Sequence, residues 1–239
     1  MKKMLLPALA GLLLLAAAPV AGATSPDNTC PDAGGFGIAQ ANTPRDLYVD
    51  AGATCWIAEY STVGRDVIVP RGSTLEVFND TSIGRDIRAS YPNVIEVGNL
   101  AIAGGISERA TVGRDISVNG ASGGVQICRS TVGRDIAVTN GGGNSIPVVG
   151  DSDSFACGDF GGNAVGRDVV VTHNSGGADV SDNGPSQGGS IARDLVDLGQ
   201  PYSSVESNWV GRDALCDASQ NHDGDGGPNT VARKDVNCG

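Results

Sequence analysis

Aromatic side chains are scarce, at 4% of 239 residues. A globular domain of this length usually fills a thick centre with them, so a thin interior of Val, Ile, Leu and Ala is expected instead. Lysine is almost missing: Lys2, Lys3 and Lys234 are the only three. The net charge of −11 argues against nucleic acid and anionic membrane as partners. Histidine occurs only at His173 and His222, each beside an asparagine, with no Ser or Cys placed to pair with it. A nucleophile–histidine–acid triad is therefore not expected. Beyond the first twenty residues there is no long apolar run and no helical period, so the mature chain has no expected membrane anchor.

The N-terminus reads as a secretory signal. Lys2 and Lys3 are followed by an apolar run over residues 4–20 and by Ala21-Gly22-Ala23, a small-residue cleavage site. Residues 1–23 are assigned to it, and the mature chain is expected to be secreted or held at the cell surface. Without those two lysines the charge becomes −13.

Glycine is abundant, with 36 residues, and much of it falls in a repeat. Thr62-Val63-Gly64-Arg65-Asp66-Val67-Ile68-Val69 recurs around Gly84-Arg85-Asp86, Gly113-Arg114-Asp115, Gly133-Arg134-Asp135 and Gly166-Arg167-Asp168. It recurs again around Ala192-Arg193-Asp194, Gly211-Arg212-Asp213 and Ala232-Arg233-Lys234-Asp235, and a degenerate first copy is Pro44-Arg45-Asp46. Successive intervals are 20, 20, 29, 20, 33, 26, 19 and 21 residues. A unit this short, rich in Val, Ile and Thr, is strand and turn rather than a helix pair. Fixed-period repeats stack because one unit cannot bury its apolar face alone.

The expected fold is all-β: a single-stranded parallel β-helix of about nine coils over residues 44–239, with residues 24–43 as an irregular N-terminal cap. Residues two apart share a strand face, so pairs such as Val67/Val69 and Ile116/Val118 point inward. The Gly is read as allowing unusual backbone angles at a corner. The Arg and Asp columns sit at that corner, opposite in charge, with the carboxylate free to accept N–H groups of its own turn. Ile57, Val63, Val69 and Leu75 fall six apart, as in a left-handed β-helix, and so do Ile83, Ala89, Ile95 and Ala101. The interval is near 20 rather than three sixes, and parallel crossovers are right-handed in nearly all cases, so a right-handed coil is expected.

Six cysteines in an exported chain imply three disulfides. Neighbouring coils lie at disulfide distance, which favours Cys30–Cys55, Cys128–Cys157 and Cys216–Cys238. Cys216 and Cys238 each follow a motif Asp by three residues, so direct stacking is expected.

Chemistry-bearing motifs are few. Gly120-Ala121-Ser122-Gly123-Gly124 matches G-x-S-x-G but lies in a Gly-rich turn between repeats, not between a strand and a helix. Asp151, Asp153, Asp223 and Asp225, with Asp159, are weak Ca²⁺ candidates without EF-hand spacing, and read first as solvated turn carboxylates. No cofactor is expected. Segments 139–164 and 172–190 read as surface loops. The hydroxyl column Thr62, Ser82, Thr111, Thr131, Ser190 and Thr230 reads as strand-edge hydroxyls.

The pattern V-G-[R/G]-[D/N]-[I/L]-x-V resembles repeats of secreted bacterial, especially actinobacterial-type, proteins of unassigned function, most closely over residues 210–238. More distantly it is similar to the bactofilins, polymer-forming β-solenoids. Most acids are the repeat Asp, and Trp56, Trp209, Tyr60, Tyr91 and Tyr202 share no column as sugar platforms, so a structural or surface-interaction role without catalysis is expected, with the chain itself or cell-envelope glycan as partner. Two ends without a visible cap point to end-to-end association. The alternative is a glycan-binding or polysaccharide-cleaving β-helix that uses loops 139–164 and 172–190, where paired carboxylates would do the cleavage.

Overall fold

A computed structural model describes residues 29–30, 36–39, 42–99, 109–143, 146–150, 162–185, 188–217 and 227–238. Every strand pairing in them is parallel, and strands from successive repeats stack into three sheets of nine, ten and eight strands. The chain is a parallel β-solenoid.

One regular coil shows the logic. Thr62–Val63 belongs to sheet one, Val67–Val69 to sheet two and Thr74–Phe78 to sheet three, and Ser82–Ile83 returns to sheet one. The Arg-Asp pair forms the corner between sheets one and two. At about 4.8 Å per strand, ten strands in sheet two make a rod roughly 43 Å long.

The interior is a stack of aliphatic columns. Val63, Ile83, Val112, Val132, Val165, Ile191 and Val210 fill it from sheet one. Val67, Ile87, Ile116, Ile136, Val169 and Leu195 fill it from sheet two. The residues six apart are all buried because successive members fall on successive walls of this three-sided interior: Ile57 on sheet three, Val63 on sheet one, Val69 on sheet two and Leu75 on sheet three again. Ala101 lies outside the described residues.

Three expectations change. Residues 29–30 and 36–39 are not irregular: Thr29–Cys30 pairs with Leu47–Val49, and Phe36–Ala39 with Thr54–Ile57. Segment 172–190 is not one surface loop, since Ala178–Ser181 is a strand of sheet three and Asn174 and Asn183 are buried. The Gly189 N–H bonds the Gly184 carbonyl at 2.8 Å, which brings these two glycines together. Likewise Val148–Gly150, inside segment 139–164, is a strand of sheet three.

The third concerns the corner glycine. Its φ is ordinary; what it lacks room for is a Cβ. A Cβ on Gly84, Gly113, Gly133 or Gly166 would stand 2.2–2.3 Å from the carbonyl oxygen of the glycine one coil earlier. Left-handed residues lie at the other two corners: after sheet two at Gly52, Gly72, Gly120 and Gly199, with Tyr91, Asn140 and His173 in equivalent turns, and after sheet three at Tyr60, Asp80, Arg129, Asp182 and Ser207.

Candidate functional site

The ladder residues come together at every copy of the motif but the last. At Gly84-Arg85-Asp86 the first two N–H groups bond carbonyls of the preceding coil, Val63 at 2.7 Å and Arg65 at 3.0 Å. The Asp86 carbonyl also faces that coil, where it accepts the Val67 N–H at 2.8 Å. Each motif Asp thus points both N–H and C=O backward, and its N–H meets no forward-facing carbonyl. The Asp side chain of the preceding coil fills the gap. Asp66 Oδ1 accepts the Asp86 N–H at 3.3 Å, and Asp86 Oδ1 accepts that of Asp115 at 3.2 Å. The same contact joins Asp115 to Asp135, Asp135 to Asp168 and Asp168 to Asp194. The carboxylate therefore serves the next coil and not its own turn, which corrects the expectation of a local Asx turn.

The same oxygen faces the next coil's guanidinium. Arg85 Nε lies 3.4 Å from Asp66, Arg134 Nε 3.5 Å from Asp115, and Arg167 Nε 3.3 Å from Asp135. Asp66 and Asp86 are buried rather than solvated, whereas the arginines stay partly exposed. Burial pushes the Asp86 carboxyl up. Hydrogen bonds from Arg88 and the Asp115 N–H, with the nearby guanidiniums, outweigh it and leave the pKa below the ordinary value. At Asp194 the hydrogen bond from Arg212 is the main cause of a lowered pKa.

The last copy departs from the rule. Lys234, not Asp235, is in register with Asp213. Asp235 is displaced by one residue and its Oδ1 accepts the Cys238 N–H at 3.1 Å. The Cys216–Cys238 disulfide forms, but not by direct stacking: Leu215 pairs with Val236, and Asn237 at φ 58° turns Cys238 into the interior. Cys30–Cys55 also forms as expected. Cys128 is disulfide-bonded, and Cys157, its expected partner, lies outside the described residues.

A second ladder escaped the sequence reading. Asn163, Asn183, Asn208 and Asn229 stack at the corner between sheets three and one. Asn183 Oδ1 accepts the Asn163 N–H at 2.9 Å. Asn208 Oδ1 accepts both the N–H and the Nδ2 of Asn183, and Asn229 Oδ1 does the same for Asn208. Each Nδ2 also donates to a carbonyl of an earlier coil, for example Asn208 to Val180 at 2.7 Å. The ladder ends where Asn229 Nδ2 meets the Cys238 carbonyl. The signal was present: Asn163, Asn208 and Asn229 all stand three residues before the corner Gly or Ala, whereas Asn183 stands nine before Ala192.

The other candidates are dispersed. Asp151, Asp153, Asp159, Asp223, Asp225 and His222 lie outside the described residues. His173 sits in a left-handed turn against Gly199, and the Ser122 hydroxyl bonds the Pro92 carbonyl at 3.3 Å, as a turn residue does. Trp56 meets Phe78 edge-on with ring centroids 6.3 Å apart, an aromatic pair on sheet three. Arg109 stands beside Arg129, and burial, with that second guanidinium, lowers its pKa.

One concavity opens on the outer face of sheet two. It holds about 330 Å³ and is lined by Asp86, Arg88, Ser90, Arg114, Ser117 and Asn119. It exists because Arg88, which bonds Asp86 at 2.5 Å, rises from a face where its neighbour in register is the short Ser117. The described residues hold no helix long and apolar enough to cross a membrane. Comparison with known proteins finds no matching family model, no similar curated protein and no similar solved structure.

Proposed function

We propose that the protein is a secreted structural or surface-interaction β-solenoid without catalytic activity. The observation that supports this is the use made of the repeat's charged residues: from one coil to the next, the Asp carboxylate is taken up by the backbone N–H and guanidinium above it. Groups engaged this way hold coils together and are not poised for chemistry. The disulfides require an oxidising compartment, in keeping with export through residues 1–23.

Self-association, where it occurs, runs through the sides of the rod. At the C-terminal end Lys234 stands where an added coil would need a carboxylate, so head-to-tail growth through the ladder stops there. Sedimentation velocity and electron microscopy of the mature chain test this. Discrete short rods at high concentration are expected, and filaments in the wild type would overturn it. Lys234→Asp, with Cys216 and Cys238 replaced, is the variant expected to lengthen.

Glycan binding is the second reading, favoured by the concavity at Arg88 and Arg114. Its hydroxyl, carboxamide, carboxylate and guanidinium groups suit a hydroxylated ligand. A glycan array with wild type and Asn119→Ala, run beside a reducing-sugar assay, separates binding from cleavage. Sugar release by the wild type would sink the non-catalytic reading.

A further inference from the structure

Positive charge is concentrated on one edge of the rod. Of the 16 Lys and Arg residues three are Lys, which leaves 13 Arg, and nine of those stand in the repeat column from Arg45 to Arg233. The column is unbroken, although the intervals along the chain run from 19 to 33 residues. The Arg65 N–H bonds the Arg45 carbonyl at 3.3 Å, and each later Arg N–H bonds the carbonyl of the Arg one coil earlier at 2.8–3.0 Å, up to Arg233 on Arg212. From Arg85 to Arg212 the side chains are 35–41% exposed, while those of the Asp residues they face one coil earlier are 3–24% exposed. At this edge the base lies outside and the acid inside, so a ligand in solution meets the guanidiniums first.

Stability does not account for this column. The Asp carboxylate already satisfies the backbone N–H of the next coil, and a partly exposed ion pair adds little to that. Even so, Arg stands in all nine copies, whereas the corner Gly stands in six. Lysine would pair with the Asp as well and occurs at none of these positions; a guanidinium differs in offering a planar fork that grips a second carboxylate bidentately. Beside the arginines runs a strip without side chains, the exposed Gly64, Gly84, Gly113, Gly133 and Gly166. Beyond it stands the outward hydroxyl column, with Thr62 in register with Ser82 and Thr111 with Thr131. Trp209, in register with Thr230, takes a place in that column and is 38% exposed.

We propose that the Arg edge and the hydroxyl column of sheet one together form a binding face for a linear acidic polysaccharide. Its carboxylates pair with guanidiniums stacked about 4.8 Å apart. Its rings cross the glycine strip with their hydroxyls toward Thr and Ser, and one ring lies on Trp209. The polymer is one with a carboxylate on most of its sugar rings, because its charge then recurs on the same scale as the coils. Duplex nucleic acid fits less well. It is wide enough to overlap the acidic surroundings of a chain of net charge −11, which repel it, whereas a single polysaccharide strand covers the edge alone. The proposal rests on the surface-interaction reading above and places the partner on another face than the concavity, with Arg114 at the border of both.

Titration calorimetry of the full mature chain with soluble polygalacturonate, alginate and hyaluronate tests the face, each beside its carboxyl-reduced, neutral form. At least one acidic polymer is expected to bind, with its neutral form about tenfold weaker or worse and with affinity falling as salt is added. Fragments should bind more tightly as they lengthen, until they span the rod. Arg167→Gln combined with Arg193→Gln should weaken binding about tenfold or more, and so should Trp209→Ala. Circular dichroism of these variants should match wild type, and Arg167→Lys combined with Arg193→Lys should recover part of the binding. Asn119→Ala, in the concavity, should leave it unchanged. No binding of any of the three polymers, equal binding of the neutral forms, wild-type affinity in the Arg→Gln pair, or a loss confined to Asn119→Ala would overturn the proposal. So would tighter binding of duplex DNA at equal charge concentration. Reducing-sugar release is scored separately and bears on the absence of catalysis, so the two readings fail by different results.

Discussion

Asp115 accepts the backbone N–H of Asp135 through Oδ1 at 3.2 Å, although the two residues are one full coil apart. The bond is made by a charged acceptor, worth about 1.5–3 kcal/mol, whereas the partly exposed Arg134–Asp115 pair is worth no more than about 1 kcal/mol. Asp115→Ala is therefore expected to lower the stability of the solenoid by about 2–3 kcal/mol in urea unfolding. Asp115→Asn, which keeps an accepting oxygen, should lose about half of that, and Arg134→Ala less than 1 kcal/mol. Equal losses in Asp115→Ala and Arg134→Ala would show that charge pairing, not the backbone bond, holds the corner.

Gly133→Ala places a methyl group 2.2 Å from the Gly113 carbonyl oxygen, which only a backbone shift can relieve. Forced overpacking of this kind costs about 1–3 kcal/mol. Gly52→Ala meets no atom within 4 Å but has φ +75°, so its cost is conformational and about 1 kcal/mol. Thermal unfolding of both variants should rank Gly133→Ala as the more damaging.

Asp86 and Asp194 have folded pKa values below the ordinary 3.8. The native state thus binds fewer protons than the unfolded state between the lowered values and 3.8. Their contribution is present in full above that window and disappears as pH falls through it. Calorimetry of Asp194→Asn beside wild type should show a deficit at pH 7 that narrows by pH 2. A deficit that stays constant across this range would contradict the shift.

Asn208→Ala removes a buried carboxamide that satisfies Asn183, Asn229 and the Val180 carbonyl together. Leaving such groups unpaired costs about 1–3 kcal/mol, and Asn208→Leu should be no better, because the missing element is polar. Urea unfolding that places either variant within 0.5 kcal/mol of wild type, roughly the noise of a surface change, would remove the Asn ladder from the account.

The period, the parallel stacking and the inward Val/Ile columns were legible in the sequence, because two-residue alternation and recurrence leave a direct trace. The Arg-Asp corner was legible as a position but not as a bond. Whether Asp66 serves its own turn or the coil above depends on which way the Asp86 carbonyl points, and side-chain types do not encode that. Gly133 was visible as a requirement, with a close approach and not a backbone angle as its cause. Asp235 reads as the motif Asp of the last copy; the register with Asp213 gives its place in the ladder to Lys234. The inward place of Asp197 is encoded as well: it stands three residues after Asp194, where Val69, Val118 and Val171 point into the core in their own copies.

Each corner bonds only its immediate neighbours, so no residue reports how many coils lie beyond them. A gene that duplicated one 20-residue copy in the middle would encode a molecule longer by about 4.8 Å with both tips unchanged. Span is thus an inheritable, stepwise quantity in this architecture, adjustable without redesigning any contact.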